Sequence, residues 1–173
     1  MLALVNIKPT HLTTSRDANT GEVSIIPYIA KEKSLIQYDV YPSVALGDPL
    51  PPKDTALSFS GEVDECAFFT DGNEKSFTLR AKINDTTKDN EILISIDKYF
   101  GDLEYRISPT ESQNPFKLKL MPDDYSIDQS SQCSMITKED YQNTLEAKFS
   151  CKKLNDGSGN QIDLIGSFTC QLD

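Results

Sequence analysis

The chain has 173 residues, enough for one domain that buries about 70% of its extended surface. Its 17 Lys and Arg against 27 Asp and Glu leave a formal charge of −10, which argues against the clustered basic surface that nucleic acid and anionic membranes require. No apolar run approaches the roughly 18 residues of a membrane-spanning helix, and the chain holds one histidine and no tryptophan.

The amino terminus, residues 1–10, lacks the basic region and the longer apolar stretch of a signal peptide. The expectation is a mature chain that has lost its leader. Val23–Ile29 and Leu35–Tyr41 read as strands, with Pro27 holding the first to an edge or a bulge. Pro42, Pro49, Pro51 and Pro52 with Gly47 mark a surface crossover. In Ala56–Cys66 the apolar positions change parity between Val63 and Cys66, as a bulge near Gly61 would explain. Asp71-Gly72-Asn73 is a turn. Phe77, Leu79, Ala81 and Ile83 then alternate with Thr78, Arg80 and Lys82. After the turn at 84–90 come Ile92, Ile94 and Ile96, and after Gly101-Asp102 come Leu103, Tyr105 and Ile107. Pro109 and Pro115 bound a looser connection before Phe116, Leu118 and Leu120. Cys133 opens another strand. Thr137–Thr144 predicts one or two helical turns, with Thr137 and Asp140 as a capping pair. Leu145–Cys151 and Ile162–Cys170 alternate again and form a hairpin around Asn155-Asp-Gly-Ser-Gly159.

Period-two faces separated by turn residues describe strands with one side on a core and one in water. The expected fold is all-β: an antiparallel two-sheet sandwich of jelly-roll or immunoglobulin-like character with nine or ten strands, and a β-barrel as second choice. The absent tryptophan removes the core signature of a true immunoglobulin domain. A single domain is expected over 1–173, irregular and Pro-containing over 1–52 and regular over 53–173.

The four cysteines, Cys66, Cys133, Cys151 and Cys170, form no C-x-x-C pair, so two disulfides are a better reading than zinc. Three connectivities exist. In the hairpin, Cys151 lies near the turn and Cys170 at the open end, which makes a direct bond between them the least favoured of the three. Cys133 opens a strand that returns beside Cys151, which favours Cys133–Cys151 with Cys66–Cys170. Disulfides imply the periplasm, outer surface or secretion.

The segments Ile162-Asp-Leu-Ile-Gly166-Ser-Phe168-Thr-Cys170 and Ile96-Asp-Lys-Tyr99-Phe-Gly101-Asp-Leu-Glu-Tyr105 resemble the closing hairpin and the strand–Tyr–turn–strand element of small bacterial secreted proteins and lipoproteins. The resemblance implies a β-sandwich domain and carries no functional residue with it.

Few residues suggest chemistry. His11 has no nucleophile motif to serve and reads as a surface residue near the terminus. Asp123, Asp124 and Asp128 after Pro122 are the candidate calcium ligands, although they miss the EF-hand spacing. Two further acidic groups, Asp85/Asp89/Glu91 and Asp156/Asn160/Asp163, surround turns. Tyr28, Tyr38 and Tyr41 are the candidate ligand-binding platform, with Tyr99 and Tyr105 as alternatives. Asn84-Asp85-Thr86 is a formal glycosylation sequon. No cofactor is implied.

The expected function is therefore an exported, non-enzymatic interaction module with a protein or glycan partner, contacted through Tyr28–Pro52. The alternatives are a structural subunit that uses an open sheet edge, and a small-ligand or carbohydrate carrier.

Overall fold

The structure is a computed structural model. It describes residues 33–84, 89–113, 115–139 and 143–172, together with the backbone of two strands upstream. Two compact units result, Met1–Glu32 and Lys33–Asp173. In the first, β1 (Leu12–Arg16) pairs antiparallel with β2 (Val23–Pro27). Pro27 lies at the end of that ladder, opposite Leu12, where a missing N–H interrupts no interior bond.

The second unit is one antiparallel sheet of eleven strands. These are β3 (Leu35–Pro42), β4 (Leu57–Glu62), β5 (Glu65–Asp71), β6 (Glu74–Asn84), β7 (Asp89–Ile96) and β8 (Glu104–Ile107). They continue with β9 (Lys117–Met121), β10 (Tyr125–Ser126), β11 (Gln132–Glu139), β12 (Thr144–Asn155) and β13 (Gln161–Gln171). The hydrogen-bonded path runs β4-β3-β13-β12-β10-β9-β7-β6-β5, with β11 beside β12 and β8 beside β11.

The sheet is curled. β13 and β5 stand six places apart on the path, which in a flat sheet would separate them by roughly 29 Å at the usual strand spacing. Cys170 on β13 and Cys66 on β5 are nevertheless disulfide-bonded, with Cα atoms 6.2 Å apart. Phe77 on β6 stacks on Phe168 of β13 with ring centroids 5.7 Å apart. The result is a half-barrel.

Two local devices turn the corners. Between β4 and β5, the Val63 N–H donates to the Ser34 carbonyl (3.0 Å) and the Asp64 N–H to the Arg80 carbonyl (2.9 Å). There Gly61 passes so close to β6 that a Cβ would meet Ile83 Cγ1 at 3.1 Å. In β12 the register against β13 shifts between Cys151 and Leu154, and Lys153 has φ 59. Before this bulge β12 pairs with β11; beyond it, Asn155 pairs with Ser126 of β10. Bulges bend strands and re-aim their pairing in this way.

The inward alternation fills one core. Phe77, Leu79, Ala81 and Ile83 of β6 and Ile92, Ile94 and Ile96 of β7 share one buried cluster with Leu145, Phe149, Leu164 and Phe168. Each fully buried side chain of this size contributes about 1.5–3 kcal/mol.

The all-β antiparallel class holds, but the two separate sheets of a sandwich give way to a single curled sheet, nearer the barrel alternative. The helix expected over Thr137–Thr144 is replaced by the end of β11 and the start of β12. Thr137 and Lys138 are held opposite Ala147 and Glu146, and the Thr137 hydroxyl donates to the Gly101 carbonyl (2.9 Å) instead of capping a helix. The parity change near Gly61 is a change of strand and partner at Val63–Asp64, not a bulge. Both disulfides have the pairing that the hairpin favoured: Cys133 lies directly opposite Cys151, with Cα atoms 4.1 Å apart, and Cys66 bonds Cys170.

Candidate binding groove

The strand register builds two rows of side chains across the outer face of the sheet. One row reads Arg106, Ser134, Ser150, Ile165, Asp39, Ser58 along β8, β11, β12, β13, β3 and β4. The next reads Glu104, Ile136, Lys148, Ser167, Gln37, Ser60. The short side chains of Ser134 and Ser150 in the first row and Ser167 in the second leave the floor low there. A depression of about 630 Å³ lies over the β3, β4, β12 and β13 part of these rows. A second, of about 1000 Å³, lies over β8, β11 and β12. The two share Ser134, Ser150 and Ile165, so they form one groove.

Its walls are loops. On one side stand Leu46, Gly47 and Leu50 of the Pro-containing crossover, and on the other Ser108–Glu111 and Gln113. The crossover is anchored by Asp163, whose side chain is wholly buried. The Asp163 carboxylate accepts from the Ser43 hydroxyl (2.9 Å), the Val44 N–H (3.2 Å) and the Lys153 N–H (2.9 Å). One buried acceptor thus ties the groove wall to the bulge that turns the sheet, and its three donors satisfy the charge. The opposite wall is pinned where Arg106 and Gln113 exchange backbone hydrogen bonds of 2.7 and 2.8 Å.

The floor is polar with apolar points. Gln37 Nε2 donates to Ser167 Oγ (3.2 Å), and the Ser58 hydroxyl to Asp39 (2.5 Å). Arg106 pairs with Glu104 at 2.9 Å, and Lys53 lies 3.9 Å from Asp39. Ile136 is 57% exposed and Ile165 39% exposed. Both stand at positions where the alternation calls for polar residues. Beneath them Gly166 admits the Phe149 ring: a Cβ there would meet Phe149 Cζ at 2.4 Å and the Gln37 carbonyl at 2.8 Å.

The residues singled out in the sequence lie elsewhere or play other parts. Tyr38 is 4% exposed and stacks on Phe59 at 5.1 Å, and Tyr41 is 6% exposed. Tyr38 belongs to the core cluster, and Tyr41, opposite Asp163 on the other face of β3, is covered as well, so neither offers an open ring face as a ligand platform. Burial pushes the Tyr38 hydroxyl up to about 12. Tyr28 and His11 lie outside the described residues. Tyr99 and Tyr105 are core residues too. Tyr99 packs on Phe68 at 4.7 Å, and the Phe100 N–H donates to the Tyr105 hydroxyl (3.0 Å). Burial raises both tyrosines above their ordinary value. Lys75 Nζ sits 3.7 Å above the Phe68 ring, a cation–π contact.

The three aspartates after Pro122 do not converge on an ion. Asp124 pairs with Lys119 at 2.6 Å. Asp128 accepts from the Ser130 N–H and hydroxyl (2.7 Å each), and these serine bonds lower its pKa. Asp156 likewise closes its own turn with Ser158 and Asn160. Among the described residues, no three His, Cys, Asp or Glu side chains gather as a metal would need. Asp85 and the Asn84–Thr86 sequon fall outside the described side chains.

Compared with known proteins, the chain matches no family model, no curated protein and no solved structure. Among the described residues, no helix is long and apolar enough to cross a membrane.

The groove was hard to find from sequence. Ile165 sits on the same face as Asp163 and Ser167, and an isoleucine at a polar position was the one local signal. Ile136 was hidden by the expected helix beside it.

Proposed function

We propose that the chain is an exported, non-enzymatic binding module that holds an extended segment of a partner protein in this groove. The observation that carries the reading is the joining of the two depressions along one sheet face, at Ser134, Ser150 and Ile165. Hydroxyls, an amide and two flanking ion pairs suit the polar backbone of a bound segment, while Ile136, Ile165 and Leu46 give its side chains apolar contacts. Because these exposed points are aliphatic, they support a protein segment over a sugar, which favours aromatic rings. Two disulfides support a periplasmic, surface or secreted setting. The resemblance to bacterial secreted proteins and lipoproteins belongs to the same proposal.

The test is affinity capture from the native extracellular or envelope fraction with the wild-type protein and with Ile136→Asp/Ile165→Asp. A specific partner retained by the wild type and lost at least tenfold by the variant supports the groove. Equal retention by both removes it. Phe100→Ser, an exposed change between β7 and β8, is the control and should bind as the wild type does.

A further inference from the structure

β5 is the last strand on the sheet path and, among the described residues, pairs only with β6. Its partner strand follows across a two-residue turn, Gly72-Asn73, with Asp71 opposite Glu74 and Gly72 at φ 60. The closing pair of such a hairpin is hydrogen-bonded, and the pairs alternate from there. Glu65, Ala67, Phe69 and Asp71 therefore direct their backbone groups to β6. Cys66, Phe68 and Thr70 direct theirs to the free edge. Among the described residues, no backbone bond reaches that edge.

Proteins usually blunt a free edge with lysine, proline, a bulge or a covering segment. β5, Glu65-Cys-Ala-Phe-Phe-Thr-Asp71, has neither lysine nor proline, and its register with β6 is unbroken. The other edges are treated differently. Gln113 bridges the outside of β8 at Arg106, and β4 is crossed by β6 at Gly61.

The charges select the occupant. Antiparallel pairing with a second copy of β5, centred on Phe68, would set Glu65 against Asp71 at both ends, and like charges directly opposite are destabilising. Across the ladder from Glu65, Arg80 pairs with Glu91, and across from Asp71, Glu74 pairs with Lys98. We propose that the β5 edge accepts an extended segment of another polypeptide by antiparallel strand addition. That segment carries a basic residue opposite each of Glu65 and Asp71, with apolar residues between them. Main-chain bonds to Cys66, Phe68 and Thr70 would hold it, with the flanking charges and exposed Phe69 setting register. This edge is independent of the groove, so either reading can fail alone.

The test uses two blocked heptapeptides, KTVVVTK and ETVVVTE, added to the full chain and followed by NMR. The expected result is that KTVVVTK binds about tenfold more tightly, and that the amides of Cys66, Phe68 and Thr70 gain exchange protection. Thr70→Pro removes one outward donor without touching the β6 ladder, and should abolish binding at unchanged melting temperature. Should that variant unfold, Glu65→Lys/Asp71→Lys serves instead and should reverse the preference between the peptides. Equal binding of the two peptides, no binding at millimolar concentration, protection elsewhere on the sheet, or dimerisation through β5 would each overturn the proposal.

Discussion

Removing the Cys66–Cys170 bond tests the curl of the sheet through its energetics. The two cysteines are 104 residues apart in sequence. Closing a loop of about that length restricts the unfolded chain by about 4.7 kcal/mol in the chain-entropy model. The Cys133–Cys151 loop spans 18 residues, worth about 3.2 kcal/mol on the same basis. The double variants Cys66→Ala/Cys170→Ala and Cys133→Ala/Cys151→Ala should therefore differ in unfolding free energy by about 1.5 kcal/mol. The long-range pair should be the more damaging. Against a usual total of about 5–15 kcal/mol, its loss leaves a marginal domain. Equilibrium unfolding in urea at 25 °C is the assay. The denaturant slope should also rise in the Cys66/Cys170 variant, because its unfolded chain opens further. Reasoning from loop length is refuted if the short-loop pair costs as much as the long-loop pair, or if the long-loop variant loses less than about 1 kcal/mol.

Asp163→Ala strands the part-buried Val44 and Lys153 N–H groups and the Ser43 hydroxyl; it should cost about 2–3 kcal/mol in thermal or urea unfolding, and loosen the Leu46–Leu50 wall in hydrogen exchange. Gly166→Ala drives a methyl into Phe149 and the Gln37 backbone, so a loss of about 1–3 kcal/mol is expected, whereas Gly61→Ala, which meets only the Ile83 side chain within 3.4 Å, should lose less. Asp156 is held down to about 2, first by the Asn160 side chain and then by Ser158. A depressed carboxylate favours the fold above its unfolded value, and that contribution fades as pH falls from about 3.8 to about 2. An NMR titration should show it moving back up in Asn160→Ala. Tyr38 works with the opposite sign: its hydroxyl is raised to about 12 by burial, so its share of stability is present below pH 10 and is lost as pH rises from there to about 12. Ultraviolet titration should show a tyrosine that ionises only with unfolding.

The strands were legible because half-buried faces enforce period two. Phe77–Ile83 and Ile92–Ile96 could place their apolar groups inward in only one register. Tyr38 was legible too, since it shares parity with Ile36 and Val40; reading it as a platform followed residue type over position. What local sequence could not show was partnership. Thr137 and Asp140 satisfy a capping pattern, and only the presence of Ala147 and Glu146 across the ladder makes Thr137–Glu139 a strand. The joining of β12 to both β11 and β10 rests on the bulge at Lys153, a lysine with positive φ that no turn motif announces. One curled sheet and two packed sheets place the same residues inward, so alternation alone could not separate them.

The central claim is that β5 and β13 meet across the interior, six strands apart on the sheet path. Non-reducing peptide mapping of thiol-blocked protein from its native source tests it most directly. The curled sheet predicts a peptide containing Cys66 linked to one containing Cys170, a second link between Cys133 and Cys151, and no free thiol. Free thiols at Cys66 and Cys170, or Cys66 linked to Cys133 or Cys151, would contradict it.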